Sequence, residues 1–218
     1  MTPQKKRGYF ITFEGAEGSG KSTQVKLLGE YLKSKNMDYI CTREPGGVKI
    51  SEQIRDILLN PENTAMSDLT EFLLYSAARS QHVFEKIKPA INDGKIVISD
   101  RFSFASFAYQ GYGRGLDLNM IFDITNTATF GLEPDIIFLL DIDPEIGVEK
   151  AKIKSQKIFN TSSGGDRLEN EDISFHNKVR DGYLELAKKF ANVCLIKFDS
   201  IENIQNRIIT ELSKRNII

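Results

Sequence analysis

Residues 15–22 read GAEGSGKS and follow an apolar run, YFITF, that ends at Phe13. The string fits the pattern GxxxxGK[ST], in which glycines allow a tight turn and successive backbone N–H groups point at phosphate oxygens. An amphipathic stretch, predicted to be helical over Lys21–Lys35, begins at the end of the string. The free N–H groups at such a helix N-terminus attract anions. A strand, this loop and a helix in succession predict a phosphate-binding P-loop.

The P-loop predicts which groups touch a bound nucleoside triphosphate. Lys21 can reach the β- and γ-phosphates, and the Ser22 hydroxyl can coordinate Mg²⁺. A GTPase switch is disfavoured, because no Asp stands three residues before a glycine and no NKxD motif is present. The nearest match to that motif, Asn177–Arg180, has Arg where Asp must accept from guanine. We expect the ATP-binding residues to be Gly15, Ala16, Glu17, Gly18, Ser19, Gly20, Lys21, Ser22 and Thr23.

Charge and composition exclude several other classes of protein. The 29 Lys and Arg residues nearly balance the 30 Asp and Glu residues, so no general attraction to nucleic acid or to an anionic membrane is expected. The sequence has neither a signal-like apolar segment nor a run of about 18 apolar residues. We therefore expect a cytoplasmic protein without a membrane partner. The two cysteines, Cys41 and Cys194, lie in apolar β-like runs and are predicted to be buried thiols.

Short apolar runs alternate with longer amphipathic segments, a pattern typical of a parallel sheet with helices on both faces. Strands are predicted at Tyr9–Phe13, Tyr39–Thr42, Ile96–Ser99, Ile136–Leu140 and Val193–Phe198. Helices are predicted at Lys21–Lys35, Ser51–Leu59, Asp68–Asn92, Leu118–Phe130, Pro144–Ile153, Ile173–Phe190 and Ile201–Arg215. We expect a single α/β domain over residues 1–218, with its ligands at the carboxyl ends of the strands.

A second set of polar residues points to an acceptor for the phosphoryl group. Asp100 and Arg101 follow one predicted strand and Arg43 ends another; an acid there suits Mg²⁺, and an arginine can clamp a phosphate bidentately. Tyr75 and Arg79 are four residues apart on a helix and share one face, which pairs an aromatic platform with a hydrogen-bond donor. Further candidates are Arg55, Ser106, Tyr109 and Gln110. Together these groups suggest a nucleoside monophosphate site.

Several motifs, in this order, resemble the thymidylate kinase family: FEGAEGSGKSTQ, TREPGG, LLYSAARSQH, DRFSFASFAYQG and DRLE. The likeness covers the chain from about Gly8 to about Leu186. It implies a P-loop nucleoside monophosphate kinase-like fold with three layers, a five-stranded parallel sheet in the order 2-3-1-4-5 and a small lid. It also implies transfer of the γ-phosphoryl of ATP to dTMP, with Mg²⁺ as cofactor, in a homodimer.

The resemblance implies roles for individual residues. Tyr75 stands where the family has a ring that stacks on thymine, and Arg79 matches the arginine that reads thymine O4. Ser106 and Gln110 lie in the base-reading segment, and Tyr109 is near the position that excludes a ribose 2′-hydroxyl. The residues placed around the acceptor phosphate are Arg43, Arg55 and Arg101, with Glu17 near the acceptor sugar. Mg²⁺ is expected at Ser22 and Asp100, directly or through water.

The resemblance also implies that the transition-state cation lies either in the P-loop or in the lid. Because the variable P-loop positions 16–19 carry no base, the cation is expected in the lid, about residues 154–167. Arg167 is the first candidate, with Lys154 and Lys157 as helpers; Arg167 could instead be a structural residue at a helix end. Within the lid, Gln156–Gly165 reads as a loop. The catalytic set is therefore predicted to be Lys21, Asp100, Arg101 and Arg167.

Two other functions stay open at this point. A deoxynucleoside kinase of the same architecture would take an uncharged acceptor, and the arginines predicted around a phosphate disfavour it. A regulatory ATP-binding module would not need an intact set of Lys21, Ser22 and Asp100. His82 and His176 have no partners at metal spacing and are predicted to be non-catalytic.

Overall fold

The computed structural model describes residues 7–159 and 167–218, with the backbone alone for residues 154–159. Most of the predicted lid, including the side chains of Lys154 and Lys157, therefore lies outside the described residues. No helix within the described ranges combines the length and the apolar composition that crossing a membrane requires.

Five strands form one parallel sheet in the order β2-β3-β1-β4-β5. This confirms the order that the family resemblance implies. No strand end differs from its predicted position by more than one residue. The strands are β1 (Phe10–Glu14), β2 (Tyr39–Arg43), β3 (Ile96–Asp100), β4 (Ile136–Asp141) and β5 (Val193–Lys197).

Helices cover both faces of the sheet and follow the predicted ranges with three exceptions. The helix predicted over Pro144–Ile153 continues to Phe159, so the predicted loop is wrong for residues 156–159, because no glycine or proline interrupts the sequence there. The helix predicted over Asp68–Asn92 contains a π-helical turn at Val83–Ile87, and a second π-helical segment, Phe107–Gly113, follows a short helix that the sequence does not predict. Consecutive apolar and aromatic residues hide any helical period there. The α-helices are α1 (Lys21–Ser34), α2 (Lys49–Leu59), α3 (Asp68–His82), α4 (Lys88–Asn92), α5 (Ser103–Ser106), α6 (Leu118–Thr129), α7 (Pro144–Phe159), α8 (Ile173–Lys189) and α9 (Ile201–Lys214).

The central and edge strands differ in burial. Strand β1 is buried at every position, and β4 at every position but its last, as expected for strands covered on both faces. Strands β2 and β5 are the edges of the sheet, and their residues are largely half-buried or exposed. The prediction that both cysteines are buried is wrong for this reason: Cys41 on β2 is exposed and Cys194 on β5 is half-buried.

The carboxyl ends of the three strands on one side of the sheet lie side by side. Asp100, the last residue of β3, pairs with Phe13 on β1 and with Arg43 on β2. The residue after each strand therefore enters the same crevice, which is where open α/β sheets bind ligands.

Candidate active site

The P-loop connects β1 to α1 through glycines with positive φ. Gly15 has φ 135° and Gly18 has φ 69°, conformations that L side chains rarely adopt. A Cβ atom at Gly18 would also lie 2.1 Å from the backbone oxygen of Gly147. The loop therefore needs glycine at this position for both its turn and its contact with α7.

Lys21 lies folded over the loop. Its Nζ donates to the backbone oxygens of Gly15 (3.1 Å) and Ala16 (2.8 Å) and to Ser19 Oγ (3.2 Å). Burial, followed by the nearby charge of Arg101, lowers the pKa of Lys21 to about 8. A bound triphosphate would offer this ammonium group anionic oxygens in place of the neutral ones that it contacts here.

Ser22 and Asp100 form the predicted metal position. Ser22 Oγ donates to Asp100 Oδ2 at 2.5 Å, joining the start of α1 to the end of β3. A hydroxyl and one carboxylate fit Mg²⁺, which prefers oxygen ligands and retains several waters and substrate oxygens. Among the described residues no group of three or more His, Cys, Asp or Glu could hold a metal ion, and this kind of Mg²⁺ site needs no such group.

Arg101 lies at the centre of the crevice with φ 71°, a backbone conformation unusual for a residue other than glycine. Its Nη1 donates to the oxygen of Gly15 (2.8 Å), and its Nη2 donates to Glu17 Oε1 (2.6 Å) and to Tyr109 Oη (2.9 Å). Burial opposes ionisation of Glu17, but the positive charges of Arg101 and Lys21 outweigh it and lower the pKa of Glu17 to about 2.

Glu14 lies at the end of β1 and supports Arg101 through Tyr183, although it is not among the predicted site residues. Its carboxylate accepts from the backbone N–H of Phe102 (2.8 Å) and from Tyr183 Oη (3.0 Å), which in turn accepts from Arg101 Nη1 (3.1 Å). Burial raises the pKa of Glu14 to about 7, although Arg101 opposes the shift. The sequence signal is an acid at the end of a predicted strand, where ligand-binding residues are expected to converge.

The crevice opens into a cleft of about 380 Å³ that holds both halves of the predicted site. The predicted residues that line it are Glu17, Gly18, Gly20, Lys21, Ser22, Thr23, Arg43, Arg55, Tyr75, Asp100, Arg101, Ser106, Tyr109 and Gln110. The remaining predicted residues, Gly15, Ala16, Ser19, Arg79 and Arg167, are not among its lining. Lys150 on α7 lines the cleft without having been predicted; it lies one helical turn before Lys154.

Arg79 is buried beside the cleft in a chain of polar groups. Its Nε donates to Glu44 Oε2 (2.8 Å), and its Nη2 donates to Ser106 Oγ (3.0 Å) and to the oxygen of Phe102 (3.1 Å). Its Nη1 is buried and has no hydrogen-bond partner among the described residues. Buried donors are rarely left unpaired, which makes this nitrogen a candidate for a hydrogen bond to a ligand.

His82 belongs to the same chain of polar groups; the sequence predicted only that it has no partners at metal spacing and is non-catalytic. Its Nδ1 lies 3.1 Å from Glu44 Oε1, and its Nε2 lies 2.7 Å from Thr42 Oγ1. The ring is completely buried. It therefore braces Glu44, which orients Arg79, and the geometry gives no sign of a role in proton transfer to a ligand.

Arg43 and Arg55 approach the cleft from β2 and α2. Arg43 Nη2 donates to Glu52 at 2.8 Å, and Arg55 Nη1 donates to the oxygen of Pro45 at 2.8 Å. The Arg43 side chain remains half exposed. A guanidinium group has five N–H donors, and the contact with Glu52 uses one donor nitrogen of Arg43.

Arg167 is held on the acceptor side of the cleft. Its Nη2 pairs with Glu71 Oε2, and its Nε donates to the oxygen of Leu58 at 3.1 Å. Gln110 Nε2 donates to the other oxygen of Glu71 at 2.8 Å, and Arg114 also contacts this carboxylate. Sequence reasoning missed Glu71, whose only signal is an acid immediately before the apolar residues of α3.

Comparisons with known proteins agree with this geometry. The family model described as thymidylate kinase matches residues 13–208. Thymidylate kinase from Lactobacillus acidophilus is 48% identical over 212 residues, covering 96% of this chain and 95% of that protein. The enzyme of that name from Geotalea daltonii is 51% identical over 181 residues, covering 83% of this chain and 84% of that protein.

A solved structure leads to the same family. The crystal structure of thymidylate kinase from Ehrlichia chaffeensis is 34% identical and has a TM-score of 0.76, covering 94% of this chain and 99% of that one. The likeness extends over almost the whole of both chains, so it includes the P-loop and the acceptor side together. This chain belongs to the thymidylate kinase family.

Proposed function

We propose that this protein transfers the γ-phosphoryl group of ATP to dTMP, giving ADP and dTDP, with Mg²⁺ as cofactor. The observation that carries the proposal is the shared cleft, which is lined by the P-loop at one side and by arginines and a tyrosine at the other. Family membership supports the same reaction. A binding module without catalysis would not need an acceptor site beside the triphosphate site.

Three guanidinium groups line the acceptor side: Arg43, Arg55 and Arg101. Guanidinium groups bind phosphate through charge-assisted, often bidentate, hydrogen bonds. An uncharged nucleoside would offer these groups no anionic oxygen to bind. The arrangement therefore favours a nucleoside monophosphate over a nucleoside as acceptor.

The base would bind between the aromatic ring of Tyr75 and polar groups on the opposite side. Tyr75, Ser106 and Gln110 line the cleft. The unpartnered Nη1 of Arg79 can donate to a keto oxygen, such as O4 of thymine. Tyr109, fixed by Arg101 and Glu17, would act as the residue that disfavours a ribose 2′-hydroxyl.

The chemistry needs positioning and charge neutralisation rather than a general base. The acceptor phosphate is already ionised, so one of its oxygens attacks the γ-phosphorus directly while the bond to the β-phosphate oxygen breaks and ADP leaves with the electron pair. Lys21 and Arg101 stabilise the charge on the transferring group. Mg²⁺ held at Ser22 and Asp100 would neutralise phosphate charge and orient the phosphates of ATP. Arg167 is the proposed lid cation.

A discriminating experiment is a coupled assay of ADP release with ATP and Mg²⁺ across dTMP, dUMP, thymidine and dCMP. We expect turnover with dTMP, weaker turnover with dUMP, and none with thymidine, because thymidine lacks the phosphate that the arginines bind. Removal of Mg²⁺ with EDTA should abolish turnover, and added Mg²⁺ should restore it. Turnover of thymidine at the rate of dTMP would identify a nucleoside kinase instead.

The proposal includes a homodimer in the cytoplasm. Large apolar side chains are exposed on α3 (Leu69 and Leu73), in the π-helical turn that follows it (Phe84, 67% exposed) and on α6 (Phe122). Burial of such groups stabilises an association between chains. Cysteines that are unpaired, Cys41 and Cys194, suit a reducing compartment.

Light scattering after size-exclusion chromatography tests the dimer. We expect a mass of twice the chain mass of 24.6 kDa, and a shift to the single-chain mass when Phe84→Asp places a charge on the apolar surface. A wild-type mass equal to that of one chain would exclude the homodimer without affecting the proposed reaction.

A further inference from the structure

Glu71 is a buried carboxylate that touches one side chain of the cleft and two arginines outside its lining. It is 1% exposed and lies in the first turn of α3, whose N-cap is Ser67. We propose that Glu71 is a positioning residue: it fixes the side-chain amide of Gln110 so that the carbonyl oxygen faces the acceptor base. This inference rests on the proposed function and assigns a selectivity to it.

The orientation of the Gln110 amide follows from the chemistry of its neighbour. An ionised carboxylate only accepts hydrogen bonds, so the amide atom 2.8 Å from Glu71 Oε1 must be the nitrogen. Within the described part of the chain, the other amide atom, Gln110 Oε1, accepts no hydrogen bond. Gln110 lines the cleft, so it offers a ligand an acceptor.

Two arginines fix the carboxylate itself. Arg114 Nη2 donates to Glu71 Oε2 at 3.1 Å, and Arg167 Nη2 contacts the same oxygen. Arg114 is held in turn by Glu171 at 2.6 Å and lies over the ring of Phe175. Both arginines contact Oε2, whereas Oε1 has a single long contact with Arg114 Nε (3.5 Å) and its short hydrogen bond with Gln110 (2.8 Å).

A hydrogen-bond acceptor at this position distinguishes pyrimidine bases by whether N3 carries a hydrogen. Thymine and uracil carry a hydrogen on N3 and can donate to Gln110 Oε1, whereas N3 of cytosine is itself an acceptor. Two acceptors facing each other leave buried polar groups unpaired, which is the most effective way for a site to reject a close analogue. Glu71 would therefore favour dTMP over dCMP without touching either.

The variant Glu71→Gln tests this because it keeps the shape and changes the polarity. Its amide oxygen should turn toward the two arginines, which leaves its amide nitrogen facing Gln110. Gln110 must then reverse, accept from residue 71 and present its own nitrogen to the base. We expect the ratio of kcat/KM for dTMP to kcat/KM for dCMP to fall by about 100-fold, near the upper end of what an unpaired buried polar group costs.

Two further variants separate positioning from a general loss of structure. Glu171→Gln removes a carboxylate from the same Arg114 without contacting Gln110, and it should leave the dTMP-to-dCMP ratio unchanged. The double variant Glu71→Gln with Gln110→Glu restores an acceptor on both sides of residue 110, and it should recover most of the preference for dTMP. A residue that only stabilised the fold would not be rescued in this way.

A measurement on the wild-type protein covers the case in which the Glu71 variants do not fold. In the ligand-free, ¹⁵N-labelled protein, the Gln110 side-chain N–H groups should exchange slowly with water, with Gln110→Ala identifying the resonance. Rapid exchange would overturn the inference, and so would an unchanged dTMP-to-dCMP ratio in a folded Glu71→Gln variant. A wild-type protein that turns over no dTMP would instead contradict the proposed function.

Discussion

The phosphate loop and the acceptor pocket are built in different ways. The loop is one continuous segment, and its glycine backbone and Lys21 fold onto each other within a few residues. The pocket is assembled from side chains of β2, α2, α3 and the Phe107–Gly113 segment. Buried carboxylates orient Gln110, which lines the cleft, and Arg79, which lies beside it: Glu71 holds Gln110 and Glu44 holds Arg79. The phosphate loop is therefore held by contacts between residues close in sequence, whereas the acceptor pocket is held by contacts between residues far apart in sequence.

Lys21→Ala should give the largest effect and should affect the loop alone. Loss of a preorganised charge beside the transferring phosphoryl group should lower kcat by about 10³-fold. Calorimetry should show that dTMP binds with nearly unchanged affinity, because the lysine does not contact the acceptor pocket. Circular dichroism checks the fold. A purified variant with near-normal turnover would contradict the P-loop assignment.

Arg167→Ala comes next and tests the lid cation. If Arg167 acts on the transferring phosphoryl group, kcat should fall by about 10²-fold or more, toward the effects of about 10³- to 10⁵-fold that arginine fingers have. Affinity for dTMP measured by calorimetry should barely change, because Arg114 still holds Glu71. The opposite result, weaker dTMP binding with kcat retained, would mean that Arg167 serves only its ion pair with Glu71. The cation would then be sought at Lys150 or at Lys154 and Lys157.

Arg79→Ala should affect the acceptor pocket alone. Because a charged donor to the base is lost, KM for dTMP should rise by roughly 10- to 100-fold. The ATP parameters, measured on the same preparation, serve as the control and should change little. Equal damage to both substrates would make Arg79 a structural member of the Glu44–His82 chain instead of a base reader.

The same contrast explains what the sequence could and could not predict. The strand ends and the P-loop depend on neighbouring residues, so apolar runs and glycines were enough to place them. Glu71 contacts Gln110, which is 39 positions away in the sequence, and Arg167, which is 96 positions away. No local period records such a pairing. The π-helical segments were also missed, since one extra residue per turn leaves no pattern of its own.

The pH dependence of kcat/KM for ATP tests the protonation of Lys21 in the phosphate loop. With its pKa lowered to about 8, Lys21 loses its proton in the free enzyme as the pH rises through that value. We therefore expect kcat/KM for ATP to fall above about pH 8, by about tenfold per unit. In Lys21→Arg the guanidinium group does not titrate, so this alkaline limb should disappear even though the activity is lower. A wild-type profile that stays flat to pH 10 would contradict the shift.

The smallest effect on turnover is expected for a change at Glu14, and the test there is the pH dependence of the free energy of unfolding. Because its pKa is raised from 4.5 to about 7, the folded state binds its proton more tightly than the unfolded state does. This contribution to stability is complete below about pH 4.5 and is lost as the pH rises through about 7.

Glu14→Gln cannot ionise, so its free energy of unfolding should gain on that of the wild type between pH 5 and pH 8, by up to about 3 kcal/mol. Urea denaturation at several pH values measures the difference, and the exposed Glu202→Gln should run parallel to the wild type. If Glu14→Gln also ran parallel, the carboxyl group would be ionised across the whole range, and burial would not govern its proton.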